Sequence, residues 1–190
     1  MEADAPPAVP APSAETLLKE AETSRNRIGE QHGRLPVIVL GIGFGAILAA
    51  ALLARLPQHY IAAGFWNMPV VSPSKRFLLL SLLRWERFRL GSDVPSRFLR
   101  ATPDIPPTVG LTIAALQLGR DMSAIPKSLP LCILRSGDSS PHPFEGMGFL
   151  NLETITCDGN QPHNINDLNQ DVSAEFIHWM HKILASPGER

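Results

Sequence analysis

Three glycines at alternate positions, Gly41, Gly43 and Gly45, break up the run PVIVLGIGFGAILAAALLARLP from Pro36 to Pro57, which is uncharged from Val37 to Ala54. A glycine-rich turn between a strand and a helix serves two chemistries. The first is phosphate binding. A phosphate loop needs a lysine and a hydroxyl residue at the helix start, and GIGFGAIL has neither. A dinucleotide turn reads G-x-G-x-x-G/A, which Gly41, Gly43 and Ala46 satisfy in the weaker form. It also needs an acidic residue about 20 positions on, where HYIAAGFW stands instead. The second chemistry is the strained turn G-x-S-x-G, which lifts a nucleophile above a sheet. Gly41 and Gly45 supply its outer glycines. The middle position is Gly43, which has no side chain to attack with.

Two downstream residues sharpen the second reading. LPLCILRSGDSSP puts Asp138 just past the end of a strand-like stretch, and LETITCDGNQPHNINDLNQDVSAEFIHWM puts His163 in a polar loop before a closing helix. Turn, acid and histidine then follow the chain order of one class of hydrolytic triad. In such a triad the carboxylate holds the imidazole tautomer and the imidazole takes the nucleophile's proton. Singly, Asp138 is also an ordinary turn residue, and His163 an ordinary surface histidine. Ser72, Ser136, Ser139 and Ser140 occupy no strand-to-helix turn, so none is pre-aimed to replace the missing nucleophile. His59, His142, His163, His178 and His181 are too scattered for a metal ligand set, and no cofactor is expected. His178 and His181 read as a solvated helix face.

These positions need a scaffold, and the chain offers one. SAETLLKEAETSRNRIGEQHG reads as a helix capped by Ser13, stopped by Gly33, with Leu17, Leu18, Ala21 and Ile28 recurring at helical spacing. LPVIVLG predicts a strand buried on both faces. GAILAAALLARLP predicts a closely packed helix ending near Arg55, and YIAAGFWNMP a second short strand. RFLLLSLLRWERFRL is an amphipathic helix with Phe77, Leu80, Leu83 and Phe88 as its apolar face, flanked by arginines 76, 84, 87 and 89. LPLCILRSGD and GFLNLETITCDG predict two more buried strands. The closing helix presents Val172, Phe176, Trp179 and Ile183 on one face. Strands alternating with helices predict an α/β domain with a mainly parallel sheet. Val37 to Ala54 is also long enough for a membrane span, with Gly41 and Gly45 as a close-packing pair. Its split into a β-branched half and an alanine-leucine half favours strand, turn and helix.

Composition bounds the rest. The chain has 190 residues, 44% hydrophobic, with a formal net charge of −1, so nothing points to nucleic acid or an anionic membrane overall. Two cysteines, Cys132 and Cys157, sit in apolar stretches and suit a reducing, cytoplasmic setting as buried thiols. Residues 1–15 are acidic and proline-rich and read as a disordered tail, leaving 16–190 as the domain.

The residues singled out above resemble those of the α/β-hydrolase superfamily, in its bacterial lysophospholipase and monoacylglycerol-lipase-like branch, the serine aminopeptidase type. LPVIVLGIGFGAILAAALLARLP is similar to that family's nucleophile strand and helix, and PSRFLRATPDIPPTVGLTIAALQ to the return of its cap. LPLCILRSGD resembles the acid strand, and GNQPHNINDLNQDVSAEFIHWM the histidine loop and last helix. The resemblance runs from about Thr16 to Leu184 and implies a helical cap over 68–122. It also implies an acyl-lipid or small ester ligand, with Asp138 and His163 as acid and base. Two departures stand out. Gly43 occupies the serine position, and only 36 residues precede the turn strand, where the family places further strands and an oxyanion-hole loop. The expectation is a shortened α/β-hydrolase-like fold and an ester hydrolase impaired by Gly43. An exposed sheet edge would favour homo-oligomers. A non-catalytic lipid- or partner-binding module and a membrane-anchored chain are the alternatives.

Overall fold

The computed structural model describes residues 13–33, 35–68, 73–90, 122–136, 142, 144–157 and 170–185. Helix α1 (Ala14–His32) begins where the Ser13 hydroxyl accepts the Thr16 N–H at 3.1 Å, and it ends at Gly33 with φ 76°. Leu18 is buried and Leu17 and Ala21 are half-buried, but Ile28 is 50% exposed. Ile28 therefore does not belong to the packed face. The helix leans on α2 (Phe44–Arg55).

Four strands form one sheet in the order β1 (Ile38–Ile42), β2 (Ala62–Trp66), β3 (Leu131–Ser136), β4 (Leu152–Cys157), and every pairing is parallel. Ile42, Trp66, Leu134 and Ile155 stand in register across it. All four strands therefore end at the same edge. Between β2 and β3 lies α3 (Pro73–Leu90), and α4 (Gln170–Ala185) closes the fold.

Alternation along the inner strands divides the core in two. Ala63, Phe65, Leu131 and Ile133 face Ala46, Ile47 and Ala50 of α2, together with Leu83 and Phe144. Ala62, Trp66, Cys132 and Leu134 face Phe176 and Trp179 of α4, whose rings stack at 5.4 Å. Phe176 comes so close to Gly64 that a Cβ there would lie 2.7 Å from its ring. Phe176, Trp179 and half-buried Ile183 thus form the predicted face, while Val172 lies outside the described side chains. Cys132 is fully buried, and His178 and His181 are exposed, as expected.

Two further expectations need correction. β2 is buried along its whole length, but β1 is half-buried apart from Gly41, and of the described side chains of β4 only Ile155 is buried. The segments predicted as buried strands at LPVIVLG and GFLNLETITCDG are the two outer strands of the described sheet. An outer strand has a neighbour on one side only and is covered less. On α3, Leu83 is buried and Leu80 half-buried, yet Phe88 is 92% exposed. Five residues of helix separate Leu83 from Phe88 by about 140°, so they cannot share a face. The favoured split of Val37 to Ala54 into strand, turn and helix holds, because β1 ends at Ile42 and α2 begins at Phe44. No helix among the described residues is long and apolar enough to cross a membrane.

Candidate functional site

The three alternate glycines do different work. Gly41 ends close beneath α2: a Cβ there would lie 2.4 Å from Ala46 Cα and 2.8 Å from the Gly45 oxygen. Those are backbone atoms and have nowhere to go. Gly43 carries the turn itself, with φ 54° and ψ −122°, a conformation that residues with a Cβ adopt only under strain. Its N–H donates to the Trp66 carbonyl at 2.8 Å, and its own carbonyl accepts from the Ala46 N–H at 3.1 Å. The turn is thus tied to the end of β2 on one side and to the first turn of α2 on the other. Gly45 has open space around its Cα and plays neither part.

The strands that precede the other candidates in the chain end at the same edge. Asp138 follows the last residue of β3 by two positions, and His163 lies between the end of β4 and the start of α4. Both residues lie outside the described ones, as do Ser72, Ser139 and Ser140. Ser136 is the last residue of β3. The carboxyl ends of β1, β3 and β4, in that spatial order, precede Gly43, Asp138 and His163 in that chain order. In parallel α/β sheets the carboxyl ends of the strands are where ligands bind.

Two features of this edge escaped the sequence reading. Asn67, directly after β2, has φ 46°, the one non-glycine residue with positive φ among those described. Its backbone N–H donates to the Leu134 carbonyl at 3.3 Å. Its side-chain Nδ2 and the Trp66 Nε1 are buried donors with no partner among the described residues. Asparagine is one of the few residues that accept this conformation readily. That was the available signal in GFWN.

The second is His142, in the crossover from β3 to β4. It is 7% exposed, stacks on Phe144 with ring centroids 5.3 Å apart, and lies 6.2 Å from Phe65. Its Nδ1 accepts the Phe144 N–H at 3.4 Å, while Nε2 is buried without a partner among the described residues. Burial, and secondarily the Arg135 guanidinium, push its pKa down to about 4. His142 is therefore neutral near neutral pH and belongs to the core. No group of three metal-ligating side chains occurs among the described residues. A cavity of about 910 Å³ opens at the opposite edge, between Ile61, Pro130, Leu152 and Lys182, away from Gly43.

No protein-family model matches the chain, and no curated protein matches its sequence. Solved structures do match. A thermostable carboxyl esterase from Bacillus coagulans aligns with a TM-score of 0.65 at 14% identity, over 91% of this chain and 73% of that one. An esterase from Thermogutta terrifontis gives 0.65 at 14% identity, over 93% and 75%. A monoacylglycerol lipase from Paleococcus ferrophilus gives 0.59 at 12% identity, over 92% and 76%. The chain thus spans about three quarters of the length of each. With its parallel sheet flanked by helices and a glycine turn at the carboxyl edge, this chain has the α/β-hydrolase fold seen in esterases and lipases.

Proposed function

We propose that the protein is a lysophospholipase-like member of the α/β-hydrolases whose ester-cleaving site has lost its nucleophile. Gly43 is the vacated nucleophile position, and Asp138 and His163 are the acid and base that remain. The observation that carries this reading is the Gly43 backbone: a positive-φ turn, open to glycine without strain, between a parallel strand and a helix at the carboxyl edge of the sheet. Ester cleavage by this route needs a hydroxyl to attack the carbonyl, an imidazole to take its proton, and N–H donors for the developing oxyanion. Residue 44, which follows the turn, is the position whose N–H serves that last role in such turns. Without a hydroxyl at position 43 no acyl-enzyme forms. The retained chemistry is that of a pocket able to hold an acyl lipid or small ester without cleaving it, beneath a cap spanning 68–122. Thermal stabilisation by a lysophospholipid or fatty acid, without turnover, is the expected mark of that binding.

Fluorophosphonate labelling tests the assignment. The natural protein should not label, and Gly43→Ser should, because the probe reacts only with a serine activated by a histidine. The serine would bear the positive φ at a cost of about 1–3 kcal/mol, so its melting temperature must be recorded beside the labelling. Added Asp138→Asn or His163→Ala should abolish the label. Labelling of the natural protein would mean that another serine has taken over. A folded Gly43→Ser protein that stays unlabelled would refute the assignment.

The outer position of β1 in the described sheet supports a second, smaller proposal. Its outer edge, unpaired among the described strands, pairs with β1 of another copy. Light scattering should then report a dimer, and a monodisperse monomer at the same concentration would count against it.

A further inference from the structure

Helix α3 has two apolar sides, and only one of them is covered. Leu83 is fully buried and Glu86 is 1% exposed, so that side is docked. On another side Leu78, Trp85 and Phe88 stand in solvent at 60%, 50% and 92% exposure. Their spacing of seven and three places them in one stripe with Ser81. The stripe lies roughly 140° around the helix from the docked side. Arg84 and Arg89 border the stripe on its two flanks, Arg87 lies beyond, and all three are exposed. The Arg89 guanidinium carbon lies 5.2 Å over the Trp85 ring. The sequence of α3 holds five basic residues, Lys75, Arg76, Arg84, Arg87 and Arg89, against the single acid Glu86. The chain as a whole carries −1, so this is a local concentration of positive charge.

A basic helix that presents a stripe of Leu, Trp and Phe between arginines has the pattern of a membrane-surface helix. A lipid surface matches it well. Its acyl boundary takes Leu, Trp and Phe to a shallow depth, and its phosphate layer takes guanidinium groups whose stems snorkel along the apolar surface. We infer that the outer face of α3 docks flat on an anionic lipid surface, with Leu78, Trp85 and Phe88 entering the acyl boundary and Arg84, Arg87 and Arg89 meeting headgroup phosphates. The contact is peripheral, because the charges of α3 forbid a span. It does not depend on the hydrolase reading, since binding is measured without turnover.

The molecule carries its own reporter. Of its three tryptophans, Trp66 and Trp179 are 1% and 2% exposed, which leaves Trp85 as the one open to solvent. The full chain should be mixed with vesicles of equal parts phosphatidylglycerol and phosphatidylcholine, and with vesicles of phosphatidylcholine alone. On the anionic vesicles the emission should shift to the blue and be quenched by brominated acyl chains. Phe88→Glu should weaken partitioning about tenfold or more. Arg84→Ala and Arg87→Ala should each weaken it about fivefold on anionic vesicles only. All three side chains are exposed, so far-UV circular dichroism should confirm an unchanged fold. No binding at low salt would overturn the inference. So would binding without a Trp85 shift, or binding indifferent to Phe88→Glu. Capture by poly-glutamate in the absence of vesicle binding would overturn it in favour of an acidic protein.

Discussion

Gly41→Ala should lower the stability of the protein by about 3 kcal/mol, whereas Gly45→Ala should leave it unchanged or raise it by up to about 1 kcal/mol. The two glycines are four residues apart and look equivalent in the sequence, but their surroundings differ. At position 41 a methyl group would sit 2.4 Å from Ala46 Cα and 2.8 Å from the Ala46 nitrogen and the Gly45 oxygen. Relief would require α2 to move away from β1, opening the contacts of Ala46, Ile47 and Ala50 with the sheet. At position 45 no atom lies within 4 Å, and alanine is the better helix former. For a chain of this size the loss at Gly41 should appear as a fall of about 6–12 °C in melting temperature. Far-UV circular dichroism on both variants checks the prediction. A neutral Gly41→Ala would mean that the strand and helix do not approach as described. Equal damage at both sites would favour a paired-glycine helix contact over a strand and turn.

The second large effect is one of pH. His142 is neutral in the folded protein down to about pH 4 and ordinary, near 6.5, in the unfolded chain. Between those values the unfolded chain binds the extra proton and the folded one does not. Stability is therefore complete above about pH 6.5 and is lost as pH falls toward 4, by on the order of 3 kcal/mol. Among the described residues, the groups around the ring give the proton no counter-charge to use. Phe65 and Phe144 are apolar, and Arg135, itself bonded to Glu145 at 3.0 Å, repels it. Other carboxylates also titrate in this range, so the decisive quantity is the difference between the natural protein and His142→Phe. Urea unfolding at pH 7, 5.5 and 4.5 should show the natural protein losing ground to the variant at each step. A constant difference would mean that His142 finds a proton acceptor in the folded state.

The sequence was most readable where structure is local. Ser13 and Gly33 bound α1 because a cap and a positive-φ stop act within one turn of helix. Gly43 marked the turn because only glycine sits there without strain, and the spacing of Phe176 and Trp179 announced the buried side of α4. Burial of whole strands was less readable. Ile38, Val39 and Leu40 are as apolar as a central strand, yet they form an outer one, since strand order depends on partners far along the chain. His142 was silent for the same reason, and Asn67 signalled its conformation by residue type but not its neighbours. Nothing beside them in sequence tells that Phe65 and Leu134 lie beside them in space. The approach of Asp138 to His163 rests on chain order and strand ends alone, and the labelling experiment bears on it directly.

Each strand of the sheet lies beside the strand that precedes it in the chain. This has a kinetic consequence. The connections from β1 to β2 and from β3 to β4 are short, roughly 20 residues or fewer, while that from β2 to β3 is roughly 60, and its closure costs about 1 kcal/mol more in chain entropy. Folding should therefore build β1–α2–β2 and β3–β4–α4 as separate halves and join them late, through the pairing of Ala63–Trp66 with Leu131–Leu134. Gly43 belongs to the first half, and Asp138 and His163 follow strands of the second. A molecule whose halves have parted keeps most of its secondary structure but has no site. Ligand binding should disappear before the helical signal in any denaturation that opens that one seam.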